Sequence, residues 1–532
     1  MNKAPTNIYF TSNFIFSCFI ILASFSMNLF AEDKRLIEGR EIYQNGRLPN
    51  GENVTAIVAG DVPINGSQFN CENCHGRSGM GATEGNYVVP SVIGDFIFTQ
   101  KHQTRRPNYT VKNLKKALVD GINSFGAPLD PLMPRYILSD SNVEALASYL
   151  KSLSSRIQPG LHDNAIHLST VVTEDIDLNT RKAVLDVLQK FSSEKNRQTR
   201  LESKRPNRGL RPEIRLPTLF RPWKLHVWTL KGDRKTWQSQ LQKYYDNDPV
   251  FAMIGGVSSG SWDPIGQFCE KNKLPCLFPT TKLANSQPND WYSIHFSKGL
   301  ELEANILAKH FVKNKRNHII QVYCSKIASR AASILSANLD KNQIKSSHLK
   351  FDCADNVSNS KLQSYLKGKP NSPVILWIKK EKLLAMNGSQ KINKLYLSSV
   401  LLNGDLDDLD GLVFDAFYAT YLYRLPGKRD SAMTRFKVWA KLRKVAITHP
   451  KLQAEAFFAV FAANDSLEHI RRFRIQDYLL EMLDHSEGLP LYLPRYPKAS
   501  LGPGQRFLSK GGYILPVVDG KADINDAEWI QP

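Results

Sequence analysis

The chain has 532 residues, 42% of them hydrophobic and 23% charged, with a formal net charge of +20 at pH 7, and that length implies two or three compact units. Beyond an apolar run at residues 14–30, no segment is long and apolar enough to span a bilayer as a helix. There is no HExxH, nucleophile elbow, phosphate loop or dinucleotide fingerprint, so no catalytic constellation of a familiar kind is written in the chain.

Phe14 to Phe30 follows Lys3 and ends at Ala31, ahead of the acidic pair Glu32-Asp33. That order predicts a secretory signal over residues 1–31, cleaved near Ala31. An uncleaved membrane anchor is the alternative, since about 17 residues is the lower limit for a spanning helix. Asp33 to Asn45 then reads as a helix with Leu36, Ile42 and Tyr43 on one side. Gly39 in its middle permits another helix to approach closely.

Cys71-Glu72-Asn73-Cys74-His75 follows. Two cysteines two residues apart with a histidine directly after them form the attachment pattern of a c-type haem: each thiol makes a thioether to a vinyl group, and the imidazole becomes an axial iron ligand. The motif occurs once, so one covalent haem c is expected. A closed zinc site, the alternative, needs a second pair of ligands, and no second CxxC is present. For the opposite face of the iron, Met133 in Pro131-Leu132-Met133-Pro134 is the preferred ligand, because its flanking prolines stiffen the loop. His102 is the rival, Met80 lies too close to His75 in the chain, and an open sixth position would permit catalysis. The glycine-rich run Gly76 to Gly85 would let backbone pass close to a porphyrin. Ser141 to Leu153 reads as a closing helix, capped by Ser141 with Glu144 or by Ser139.

These residues resemble the class I cytochrome c family across about residues 33 to 155. The likeness is carried by Gly39 and Tyr43, by Cys71 through Gly76, by Met133-Pro134-Arg135-Tyr136 and by Leu138-Ser139-Asp140. It implies a small all-α cytochrome c domain at residues 32–155, acting as a monohaem electron carrier with His75 and Met133 as axial ligands.

After Leu153, apolar runs alternate with amphipathic stretches: Ile166 to Val172, then Asn179 to Phe191; Val250 to Gly256, then Asp263 to Glu270; His318 to Tyr323, then Ile327 to Leu339. Val374 to Ile378 and Leu412 to Phe414 continue the strands, and Pro450 to Ala463 and Arg471 to His485 read as helices. Alternation of this kind predicts an α/β unit with a mostly parallel sheet. Phe251 to Ser259 and Lys273 to Thr281 resemble type I periplasmic binding proteins of the branched-chain amino acid receptor group. The resemblance implies a two-lobed α/β domain over residues 160–515, followed by a tail at 516–532. Ser258, Ser259, Thr280 and Thr281 would hold a ligand at strand ends, with Asp415 or Tyr418 as a partner from the other lobe. The exported chain keeps four cysteines besides the haem pair, and these group as Cys269 with Cys276 and Cys324 with Cys353. Four buried thiols are the alternative.

Between Lys195 and Lys224 there are ten Lys or Arg against Glu202 and Glu213, whereas residues 32–151 carry thirteen of each sign. Export makes nucleic acid an unsuitable partner, so the basic stretch is read as a contact for anionic membrane or an acidic redox protein, or as a solvated loop. The reading as a whole is a periplasmic electron carrier rather than a catalyst. It would exchange electrons with a redox protein or dehydrogenase, with the second domain docking a partner or sensing a small molecule. The alternative is a solute sensor in which the haem is an accessory reporter.

Overall fold

The computed structural model describes residues 34–84, 87–99, 107–202, 204, 220–284, 287, 289–353, 359–366, 371–384, 392, 394–404, 406, 416–427, 430–485, 493 and 495–532. The apolar run at residues 14–30, His102, Asp415 and the strand expected at Leu412 to Phe414 lie outside them. The chain divides into two compact units, residues 1–157 and 158–532.

In the first unit, a helix over residues 34–45 and the helix Asp140–Ser155 cross with their backbones in close contact. Gly39 makes the crossing possible, because a Cβ there would stand 2.1 Å from the Ala145 carbonyl oxygen and 2.8 Å from Tyr149 Cβ. Around it the buried side chains Ile42, Tyr43, Val143, Leu146, Tyr149 and Leu150 form the core, with the Tyr43 and Tyr149 rings 5.3 Å apart. Ser139, not Ser141, caps the closing helix, its hydroxyl accepting from Asn142 N.

The expectation of an all-helical unit is corrected by the segment before the haem motif. Strands β1 (Thr55–Val58) and β2 (Val62–Asn65) form an antiparallel hairpin. A second hairpin joins β3 (Ala82–Glu84) to β4 (Tyr87–Val89), and β5 (Arg135–Tyr136) adds to β1. Asp61 at φ 58° and Gly60 at φ 80° make the tight turn of the first hairpin, a turn type that requires left-handed backbone.

The second unit begins with β6 (Ile166–Thr173), β7 (Trp223–Leu230), β8 (Ala252–Ile254), β9 (Cys276–Leu277) and β10 (Ser293–Ile294). They form a parallel sheet in the order β7-β6-β8-β9-β10. A second sheet repeats that order with β11 (His318–Tyr323), β12 (Lys345–Lys350), β13 (Val374–Trp377), β14 (Leu395–Ser398) and β15 (Ala416–Tyr421), as β12-β11-β13-β14-β15. Both sheets therefore have the doubly wound 2-1-3-4-5 order, whose ligand crevice lies outside the carboxyl ends of the strands where the order reverses. Each sheet with its helices makes one lobe.

The chain passes between the lobes three times. It leaves the first sheet at His295 to Gly299, returns after Tyr421 to build the helices Ser431–Leu442, Pro450–His469 and Gln476–Asp484 against the first lobe, and crosses again before β16 (Gly512–Val518). The first and third crossings run side by side, joined by His295 N to Arg506 O at 2.9 Å and Ser509 N to Phe296 O at 2.8 Å. Of the tail expected at 516–532, the first residues complete β16 and the rest carry β17 (Lys521–Ala522) and β18 (Glu528–Ile530), both paired with β16. The expected cysteine pairs are disulfides: Cys269–Cys276 and Cys324–Cys353.

Two stability measurements follow. Gly39→Ala should lower stability by about 1–3 kcal/mol, because the overpacking at the crossing outweighs the gain of about 1 kcal/mol from helix propensity. Denaturant unfolding followed by near-ultraviolet circular dichroism reads it, and an unchanged midpoint would contradict the close crossing. Replacing Cys324 and Cys353 by serine opens a loop with a separation of 29 residues. That should cost roughly 3–4 kcal/mol of unfolded-state entropy, visible as a lower Tm than that of the parent protein without reductant.

Candidate functional sites

The haem motif is a single helical turn, Cys71–His75, started by Asn70, whose side chain accepts from Asn73 N at 2.9 Å. A five-residue helix has little stability of its own. It is held instead by Tyr43, whose hydroxyl donates to Gly76 O at 2.7 Å, and by His75. The imidazole of His75 is 6% exposed, and its Nδ1 lies 2.9 Å from Pro90 O. A carbonyl only accepts, so Nδ1 carries the proton and Nε2 keeps its lone pair. Burial holds His75 below the ordinary histidine range, against the Pro90 contact, which favours the neutral ring that metal ligation requires.

His75 opens onto a cavity of about 220 Å³ whose walls include Cys71, Tyr109, Leu118, Met133 and Leu150. Its lining is almost wholly apolar, as a porphyrin face demands. Cys71 is partly buried, and burial pushes its thiol up to about 12, while Cys74 is exposed. Met133 is set by a turn in which its N donates to Asp130 O at 2.9 Å and Leu132 N donates to the Asp130 carboxylate at 2.9 Å. Met80 does not line this cavity; its sulfur sits 3.9 Å from Ser91 Oγ. The donor set and the apolar walls therefore suit a covalent haem. The glycine-rich run serves packing as well: a Cβ on Gly79 would come within 2.8 Å of Leu153, and one on Gly81 within 2.1 Å of Val89 O.

In the second unit, a cleft of about 610 Å³ lies between the lobes. Gly255 and Gly256, with φ 63° and 103°, turn the chain off β8, and Ser258 and Ser259 follow at the carboxyl end. Thr280 and Thr281 follow β9. All four line the cleft, yet three have hydroxyls already engaged. Ser259 and Thr173 both donate to the Asp175 carboxylate. Thr280 donates to Glu455 Oε2 at 2.9 Å, and Thr281 donates to Gly260 O at 2.7 Å. Ser258 accepts from Gly260 N at 3.3 Å and keeps its own proton to donate. Tyr418 does not reach this cleft: it lies within β15, stacked on Tyr396 at 5.1 Å.

Charged groups missed in the sequence complete the cleft. Glu455 and Arg495, with side chains 2% and 11% exposed, form an ion pair at 3.0 Å, and Tyr496 also donates to Glu455. Arg495 stacks on Tyr423 at 4.1 Å and donates to Asn403 O, tying together two interlobe crossings. Burial alone would raise Asp175, but the Ser259 and Thr173 hydroxyls and the Arg234 guanidinium outweigh it and hold the carboxyl below its usual range. Lys282 lines the cleft directly after Thr281. Burial, then the like charge of Lys379, depress it to about 8, with Glu381 opposing. Asp175 and Lys282 were within reach of the strand-end rule. Glu455 and Arg495 come from segments far along the chain and gave no local signal.

The basic stretch is partly neutralised. Lys195 pairs with Glu468, Arg197 with Glu194, Arg221 with Asp163 and Lys224 with Asp248. Residues 205–219 lie outside the described ones. Among the described residues, no helix is long and apolar enough to cross a membrane.

Residues 64–154 match the family model for cytochrome c. Solved structures that resemble the chain include a leucine binding protein, LivK, from Thermotoga maritima, with 11% identity and a TM-score of 0.48 over 69% of this chain and 99% of that one. A branched-chain amino acid ABC transporter protein from Thermus thermophilus with bound valine gives 9% and 0.48, over 69% and 97%. LivJ from Streptococcus pneumoniae in complex with isoleucine gives 11% and 0.45, over 69% and 100%. A search of curated proteins finds no match. The chain is similar to cytochrome c over residues 64–154 and, over about 69% of its length, to the binding proteins of branched-chain amino acid transporters.

Proposed function

We propose that the first unit is a monohaem c-type electron carrier of the periplasm, with Cys71 and Cys74 as thioether anchors and His75 and Met133 as axial ligands. The observation that carries this reading is the His75–Pro90 contact: Nδ1–H donates to Pro90 O and leaves Nε2 for iron, in an apolar cavity that Cys71 and Met133 also line. A haem bound there would supply reversible one-electron chemistry. His75 orients its ring through Pro90, Met133 offers a weak-field sulfur that raises the potential, and Tyr109, Leu118 and Leu150 keep water from the cavity. A soluble redox protein or dehydrogenase is the partner of such a carrier.

A second reading, in which the chain senses a solute and the haem reports on it, is favoured by the cleft. Lys282 and Lys379 line it from opposite lobes, whereas Asp175 and Glu455 are held by protein donors. The cleft is therefore suited to a small molecule with a carboxylate, met by Lys282 and the Ser258 hydroxyl.

Met133→Ala should abolish the weak red-end absorption of Met-ligated ferric haem and lower the potential, with the covalent haem retained. An unchanged band would remove Met133 from the iron. For the cleft, thermal shift against short carboxylates and amino acids should show a carboxylate response that Lys282→Met weakens about 10–100-fold, the worth of one charge-assisted contact. A flat response to all of them would favour a docking role.

A further inference from the structure

Strands alternate their side chains between the two faces of a sheet, and in β6 and β7 that alternation sorts the residues cleanly. Ile166, Leu168 and Val172 of β6 enter the main core, together with Trp223 of β7. Val171, Trp228 and Leu230 enter a separate apolar layer with Trp237 and Leu241 of the helix Trp237–Asn247. His167 and His226 share parity with this second set. Parallel register sets His167 beside Lys224 and Ser169 beside His226, so the two histidines are diagonal neighbours on one face, at the amino end of the sheet. The covering helix ends there and delivers Asp248.

The result is a cluster of nitrogen and oxygen donors at the edge of an otherwise apolar layer. His226 Nε2 lies 3.2 Å from His167 Nδ1, and His226 Nδ1 lies 3.9 Å from Asp248 Oδ2. One donor atom from each of His167, His226 and Asp248 can be chosen so that all three lie within 4.8 Å of one another. The exposed ring of His162 is centred 4.4 Å from that of His167, and its loop is fixed by His162 N donating to Ala165 O at 3.0 Å. We propose that His167, His226 and Asp248, with His162 or water as a fourth donor, form a binding site for a divalent first-row transition metal such as zinc.

Two nitrogens, each about 2.0–2.1 Å from a tetrahedral zinc, stand roughly 3.3 Å apart, close to the observed His167–His226 spacing. The exposed Asp248 carboxylate is the third donor of the set that lies within 4.8 Å. Imidazole donors select zinc, copper or nickel over magnesium and calcium, which require oxygen. Burial, then His162, His226 and Lys224, disfavour the charged form of His167, and burial does the same for His226, with Asp248 opposing in both. A metal here would tie β6, β7 and the end of their covering helix together. The site is independent of the interlobe cleft, because His167 lies near the start of β6 whereas Asp175 follows its far end at Thr173, about 20 Å from His167 at 3.3 Å per residue.

The test uses the full exported protein without a histidine tag, loaded with zinc chloride, passed through gel filtration, and analysed for zinc per chain by mass spectrometry with sulfur as the reference. The expected result is one zinc per chain, removed by chelator, and none in the double variant His167→Gln, His226→Gln with unchanged near-ultraviolet circular dichroism. Should that variant fail to fold, the exposed Asp248→Asn reads the same site by titration with zinc. It should weaken binding by at least about tenfold, since even outer-shell partners are worth 10–100-fold. No retained zinc in the parent protein, or equal zinc affinity in the variants, overturns the proposal, and neither outcome bears on the haem or cleft readings.

Discussion

The hydrogen bond between His75 Nδ1 and the Pro90 carbonyl is the interaction on which the first unit's chemistry turns. An imidazole has two nitrogens, and only one can face the cavity with a lone pair. Fixing the proton on Nδ1 settles which. Pro90 can do so because the hairpin of β3 and β4 returns the chain over the motif, and that hairpin in turn needs Gly81, where no side chain would fit against Val89 O. A short sequence between the haem motif and Pro90 is thus part of the site, although among its described residues no side chain before Pro90 lines the cavity.

In the second unit, the governing fact is how many polar groups are already engaged. Strand-end hydroxyls are the natural grips of an open α/β sheet, yet Ser259, Thr280 and Thr281 are turned inward to Asp175, Glu455 and Gly260. They build the cleft rather than serve as its free donors. The buried ion pair of Glu455 and Arg495 is weak evidence of net stability, since desolvation offsets most of its attraction. Its geometry is more telling, because Arg495 grips Asn403 O and Tyr423 at once and so fixes the crossings relative to each other.

Much of this was legible in the sequence, for physical reasons that differ by element. His318–Tyr323 and Val374–Trp377 are apolar runs buried on both faces, so their bounds could be read almost to the residue. Gly39 was legible because a glycine inside a helical pattern costs stability unless something presses against it. The hairpin at Thr55–Asn65 was missed: its apolar residues are sparse and it reads as an insert. The terminal strands were missed because Lys521–Ala522 and Glu528–Ile530 are too short to show alternation and are recruited by β16. For the same reason no local pattern could have joined Glu455 to Thr280, whose meeting is decided wholly by tertiary structure.

The first lobe is completed by a stretch of chain made long after its sheet. Helix Leu178–Glu202 meets its cover only when Pro450–His469 arrives, through contacts such as Lys195 with Glu468, while Arg443 at the end of Ser431–Leu442 pairs with Glu194. Until roughly 250 further residues have been synthesised, that side of the sheet is covered only in part, by Val184, Val187 and Leu188 of the same helix. Order of synthesis and order of assembly are thereby decoupled: the second lobe can form its parallel strands while the first still waits for its roof, and folding of the pair must be slow, as for any topology dominated by distant contacts. A chaperone would meet this protein first as a half-covered sheet.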